Sequence, residues 1–257
     1  FLPHALGREA AEVSFHVCRW PVASSVYEPN PAVLEDFPLA AALMTVTERR
    51  RLATVPLDDV CAREGVAADC LKVDVEGAEL DVLRGAQSTL AGALVLDVEV
   101  EFDELFRGQP LFADVDGFLR ERGWRLLGLR RVAWRRTSAL ARSGSGYGGQ
   151  LMSADALYFN AGALAGDLEP VSALKLAVIL SAYRQHDFVL SLLRRAPLSE
   201  LPAPERGVLA ATLAPPPARA LRVGARLLGP PSSERRRRIA DALGDGAATV
   251  WQDAHHF

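Results

Sequence analysis

Leu71-Lys72-Val73-Asp74-Val75-Glu76-Gly77-Ala78-Glu79-Leu80 is the stretch whose reading decides the fold. Its first half alternates, with Leu71, Val73 and Val75 on one side and Lys72, Asp74 and Glu76 on the other, which is the period of a strand. Gly77 breaks that strand. From Glu79 onward Leu80, Leu83, Ala86 and Leu90 recur at the period of about 3.6 that marks a helix. The stretch therefore reads as strand, tight turn, helix. In an open α/β sheet, ligands are held beyond the carboxyl ends of strands, which puts Asp74 and Glu76 on the floor of a site.

A second strand follows at once, Ala93 to Phe102, and it too carries acids on one face: Asp97, Glu99 and Glu101 against Leu96, Val98, Val100 and Phe102. Strands covered by helices on both sides are expected to be apolar on both faces, so acids on adjacent strands point to function. The other reading for Glu101 and Asp103 is that they run past the sheet into solvent. Carboxylates grouped in this way repel unless a cation or an arginine sits among them. A hard metal such as magnesium is one solution, but no metal ligand set is assigned. Lys72 reads as a structural counter-ion, because a buried unpaired lysine is costly. Glu79 sits in the first turn of its helix, where the dipole favours an acid whatever its function. His16, on the polar face of an early strand, is an alternative base, although a lone strand histidine is more often structural.

Working outward, Ala11 to Cys18 alternates as a half-exposed strand, and the proline-rich segment from Trp20 to Pro31 reads as an ordered loop. Ala53 to Val55 begins a short extended piece that passes into a helix ending at Gly65. Leu111 to Gly123 is a further helix, and Trp124 to Trp134 and Leu151 to Asn160 form a late strand pair joined by a long Arg, Ser and Gly-rich connection. That hairpin is expected to close an otherwise parallel sheet. Composition changes near Gly162, so the domains are placed at 1–163 and 164–257. The second is helical, with prolines separating apolar repeats such as Val171 to Tyr183, and Arg235 to Arg238 reads as a solvated charge run.

The 257 residues carry a formal net charge of −3, which predicts no general attraction to nucleic acid or anionic membrane. Hydrophobic residues make up 49% of the chain, enough for a large core. No apolar run is long enough to span a membrane. Cys18, Cys61 and Cys70 are too scattered for a disulfide framework or a CxxC site, so they read as buried thiols in a reducing, cytoplasmic setting.

The opening stretch, continued by Asp81-Val82-Leu83-Arg84-Gly85-Ala86, resembles the signature of the FkbM-type methyltransferase family. Ser24-Ser25-Val26-Tyr27-Glu28-Pro29 is similar to that family's upstream serine-pair loop, and Leu94 to Phe102 resembles its next acid-bearing strand. The resemblance covers about residues 1 to 160. It implies an α/β fold with a Rossmann-like class I methyltransferase sheet, followed here by an all-α region. It also implies S-adenosylmethionine as methyl donor and a hydroxyl on a sugar or natural-product-like molecule as acceptor. Asp74 and Glu76 are then the catalytic carboxylates, with Asp74 and Gly77 toward the cofactor and Ser24, Ser25, Glu99 and Glu101 toward the acceptor. Such a sheet opens with a strand and a GxGxG turn. None lies upstream of Asp74, where Gly7 and Gly65 stand alone, so the sheet is expected to be incomplete at its amino end. The alternative function is a binding or scaffold module that has lost its cofactor cradle, its helical tail offering a surface to another protein; a metal-dependent hydrolase built on the acids is the third.

Overall fold

Val95, Leu96, Val98 and Val100 are almost fully removed from solvent, and they make β5 (Val95–Glu101) an inner strand of a four-stranded sheet ordered β4-β5-β7-β6. The computed structural model describes residues 2–136, 149–162 and 169–193. β4 (Cys70–Val73) runs parallel to β5, with Lys72 opposite Asp97. β7 (Gln150–Asn160) is antiparallel to β5 on its other side, placing Glu99 opposite Asp155 and Glu101 opposite Ser153. β6 (Trp124–Trp134) pairs with β7 and ends the sheet. The late strands thus pair with each other, and the second of them meets β5.

The sheet is held by one apolar cluster. Leu80 and Leu83 of α4 (Glu79–Arg84), Leu90 of α5 (Gln87–Gly92) and Leu119 of α6 (Phe112–Arg120) close over Leu96, Val98 and Tyr158. Each fully buried side chain of this size contributes about 1.5–3 kcal/mol relative to exposure. Thus the parallel pair β4 and β5 is anchored by the helices that follow each strand, and the carboxyl ends of both strands are fixed in space.

A second, smaller sheet has the order β1-β3-β2. β1 (Ala5–Leu6) is parallel to β3 (Val46–Val55), and β2 (Ala11–Cys18) is antiparallel to it. The chain therefore builds two sheets where the resemblance implied one. The expected extended piece at Ala53 is the end of a ten-residue strand. Its alternation is hidden because five successive residues, Thr47 to Arg51, are exposed, leaving no apolar face to read. The 20–31 segment is also more regular than a loop: a 3-10 turn spans Pro21–Ala23 and α1 spans Pro31–Leu34. α2 (Pro38–Leu43) follows. Each begins with proline, whose fixed φ suits the first helical position.

Two further corrections concern the deciding stretch. The strand ends at Val73, so Asp74 to Ala78 forms a loop rather than a tight turn at Gly77. The helix expected from Glu79 to Leu90 is broken into α4 and α5 at Gly85, where a Cβ would stand 2.2 Å from the Gly7 carbonyl oxygen. The break is stabilised by α3 (Leu57–Glu64), whose Asp58 carboxylate accepts from the Ser88 and Thr89 amides and the Thr89 hydroxyl.

The chain divides into two compact units, Phe1–Leu168 and Glu169–Phe257. In the second, α7 (Pro170–Ala182) and α8 (His186–Leu193) are described. The rest of the helical region expected after Gly162, the run at 235–238 and most of the connection between β6 and β7 lie outside the described residues. Among the described residues no helix is long and apolar enough to cross a membrane. Of the three cysteines, which carry free thiols, only Cys18 is buried; Cys61 and Cys70 are half-buried.

Candidate functional site

The loop after β4 brings the acids together. Glu76 holds a φ of 57° and Gly77 one of 95°, a left-handed pair that only glycine adopts at little cost. Three contacts fix this backbone. The Ser25 hydroxyl donates to the Glu76 carbonyl oxygen at 2.6 Å. The Glu79 carboxylate accepts from the Val75 amide at 2.8 Å and the Gly77 amide at 3.3 Å, on either side of Glu76. A Cβ on Gly77 would stand 3.1 Å from the Phe106 ring, so the loop also lies against a buried aromatic. The Glu79 carboxylate is thus a buried brace for the loop, which its helix-start position alone did not reveal. Beside Gly77, the buried Gln109 accepts from the Phe106 amide, and its Nε2 has no partner.

The acids fall into two sets. Asp97 and Asp155 face Lys72, which lies 3.6 Å from Asp97, 3.5 Å from Asp74 and in close contact with Asp155. Asp155 also takes both donors of Arg130, at 2.6 and 2.9 Å. Burial works against the Lys72 ammonium, yet the Asp155 hydrogen bond and the three nearby carboxylates outweigh it and raise its pKa. Lys72 is therefore the counter-ion its sequence position suggested. Glu76, Glu79, Glu99 and Glu101 have no lysine or arginine partner among the described residues. Burial, reinforced by Asp74 and Glu79, pushes the Glu76 carboxyl up to about 7. Burial also raises Glu99, which shares a hydrogen bond with Asp74, and Glu101, which feels Glu79 and Glu99. Glu101 is 3% exposed, so the reading that placed it in solvent is wrong; β5 continues to Glu101, and Ser153 lies opposite it.

Glu76, Glu99 and Glu101 open into one cavity of about 390 Å³. Its other walls include Trp20, Phe37, Leu43, Met44, Leu105 and Trp134. Most of these come from the 20–44 segment and the adjoining apolar cluster, so the 3-10 turn, α2 and the residues around them form the roof over the strand ends of the large sheet. Asp74 stays outside the lining, beside Glu76 and Glu99. Ser25 is 1% exposed and points to the Glu76 backbone, while the Ser24 hydroxyl accepts from the Cys18 amide at 3.0 Å. His16 pairs its backbone with Ser25, and its buried Nδ1 has no partner. The structure thus gathers Asp74, Glu76, Gly77, Ser25, Glu99 and Glu101 around one loop. It adds residues that sequence reasoning passed over: Glu79 as a brace, and Trp20, Phe37 and Trp134 as walls. Trp20 carried no signal because its segment read as loop, and Phe37 and Trp134 carried none because they reach the cavity only through the fold.

Carboxylate oxygens of Asp74, Glu76 and Glu99 lie within 4.8 Å of one another, as do those of Glu79, Glu99 and Glu101. That spacing suits a hard divalent cation. The fit to the nucleoside of a dinucleotide-like or sulfonium cofactor is poorer. Among the described residues no strand runs into a glycine-rich turn, and Gly77 is the only glycine beside the acids.

Comparison with curated proteins and with solved structures returns no match. A family model does match, over residues 2–126, which include both acid-bearing strands and the loop between β4 and α4 but stop short of β7. Over those residues, just under half of the chain, the sequence matches the model of the methyltransferase FkbM domain.

Proposed function

We propose that the first unit carries the acceptor half of an S-adenosylmethionine-dependent O-methyltransferase. The observation that supports it is the cavity in which Glu76, Glu99 and Glu101 converge at the carboxyl ends of β4 and β5. The donor supplies an electrophilic methyl group; its cradle is not found among the described residues, and the chain's own contribution is on the acceptor side. A hydroxyl that enters the cavity must be aligned and must lose its proton. Alignment of reactants is worth up to about 7–11 kcal/mol. Glu76, pushed up to about 7, suits the role of base near neutral pH, since a general base works best when its pKa lies near the operating pH. Glu99 and Glu101 keep their protons to higher pH and so present O–H donors to the acceptor oxygen. Asp74 connects this array to Lys72 and holds Glu99. The charge of −3 supports a small-molecule or glycan acceptor rather than nucleic acid or membrane. The helical tail remains a surface for a protein partner.

Asp74→Asn in the full-length protein tests the assignment. Methyl transfer is expected to fall by at least about 100-fold, the scale of a lost acid–base contribution. The far-UV circular dichroism should not change, because the Asp74 side chain is 46% exposed. Unchanged turnover would refute the role of Asp74, and absence of methyl transfer by the wild-type protein would favour the scaffold alternative.

A further inference from the structure

The cavity has one polar wall. Glu76, Glu99, Glu101 and Ser153 come from adjacent strand ends, with Glu101 opposite Ser153 in the sheet. The exposed Arg135 adds a charge to the lining, and the remaining residues are apolar. Trp20, Phe37 and Trp134 are among them, and Phe37 and Trp134 meet edge to face at 5.4 Å.

The apolar surface does not stop at the cavity. Trp20 and Leu39 line it and are also 48% and 45% exposed, and Val22, in the 3-10 turn between them in sequence, is 62% exposed. α2 is apolar along its whole length, Pro-Leu-Ala-Ala-Ala-Leu, and buries none of its residues. Large exposed hydrophobics are few among the described residues of this unit, and three of them gather here. A contiguous apolar surface that leads into a pocket marks a ligand path.

We infer that the acceptor is an amphiphile: a hydroxyl borne on an apolar chain or ring, with the hydroxyl against the Glu76, Glu99 and Glu101 wall and the apolar body extending past Leu39 and Trp20. The inference rests on the methyl-transfer reading only for the fate of the hydroxyl. A free hexose is disfavoured. Its hydroxyls point in all directions, and those facing tryptophan, leucine and methionine would be buried without partners. An alkyl or ring body finds matched surface on every wall but one, and its single polar group meets the carboxyls.

The test is titration of the full chain with 1-octanol and, separately, with glucose, followed by tryptophan fluorescence, since Trp20 and Trp134 line the cavity. A saturable change is expected with 1-octanol and none with glucose at a 100-fold higher concentration. Leu39→Glu, at a site exposed enough to accept the charge without unfolding, is expected to weaken 1-octanol binding at least tenfold. Glucose binding as tight as that of 1-octanol would overturn the inference. So would 1-octanol binding that Leu39→Glu leaves within twofold. The full-length protein is assayed in parallel for transfer from methyl-labelled S-adenosylmethionine. Saturable 1-octanol binding without transfer leaves the amphiphile site standing and counts against the methyltransferase reading alone. Transfer to glucose without 1-octanol binding does the reverse.

Discussion

Glu76 occupies a backbone conformation that few non-glycine residues adopt, and its surroundings hold it there. Ser25 grips its carbonyl from 51 residues away, and Glu79 grips the amides on either side. Strain of this kind costs on the order of 1–3 kcal/mol and persists only where neighbours over-determine it. The buried carboxyls add a second cost that depends on pH. Burial raises Glu101 above the ordinary glutamate value of 4.5, so the folded state binds its proton more tightly than the unfolded chain does. The sign follows by linkage: the contribution to stability is fully present below pH 4.5 and is lost as pH rises toward the folded value. Glu101→Gln removes that dependence. At pH 8 the variant is expected to be more stable than the wild type by about 1 kcal/mol or more, a gain in Tm of about 2–4 °C per kcal/mol. Thermal melts at pH 5 and pH 8 check this; a Glu101→Gln variant that melts below wild type at pH 8 would show that the carboxylate is stabilised in the fold.

At the scale of elements, the parallel strands and their helices were legible because they obey a period. The β5 residues alternate acid and aliphatic, and the structure returns that alternation as a buried strand with its acids at alternate positions. The break between α4 and α5 was not legible. Gly85 looks like any glycine near a helix end, and its reason is tertiary: the Gly7 carbonyl passes where a side chain would be. Gly85→Ala is therefore expected to destabilise the domain by about 1–3 kcal/mol, the range for overpacked sites, read as a lower Tm with the far-UV spectrum retained. A melting curve identical to wild type would mean that the contact yields freely. β3 escaped notice for the opposite reason. Its outer residues, Glu48 to Arg51, form surface ion pairs with one another, Glu12 and Glu28, and a strand wet on both faces leaves no apolar signature. The prolines at 21, 31 and 38 were the available signal for the roof, as helix starts rather than loop markers.

At the scale of the whole molecule, the first unit joins a sheet that carries carboxyls to a small roof that carries aromatics, and the site is the space between them. The strand-end acids could be found from sequence because two neighbouring stretches broke the same rule. The cavity could not, since its apolar walls come from residues 20–44 and 105–134 and meet the acids only in the fold. The FkbM match spans the roof and both acid strands, and it ends just inside β6, before β7. The central claim is that Glu76, raised by burial in this cavity, takes the acceptor's proton. The most direct measurement is the pH dependence of methyl transfer, as kcat/KM, by the full-length protein and by its Glu76→Gln variant. Wild-type kcat/KM should climb with pH and level off above about 7, while Glu76→Gln should lose at least about 100-fold and the climb with it. A Glu76→Gln variant that keeps wild-type turnover and the same pH profile would contradict it.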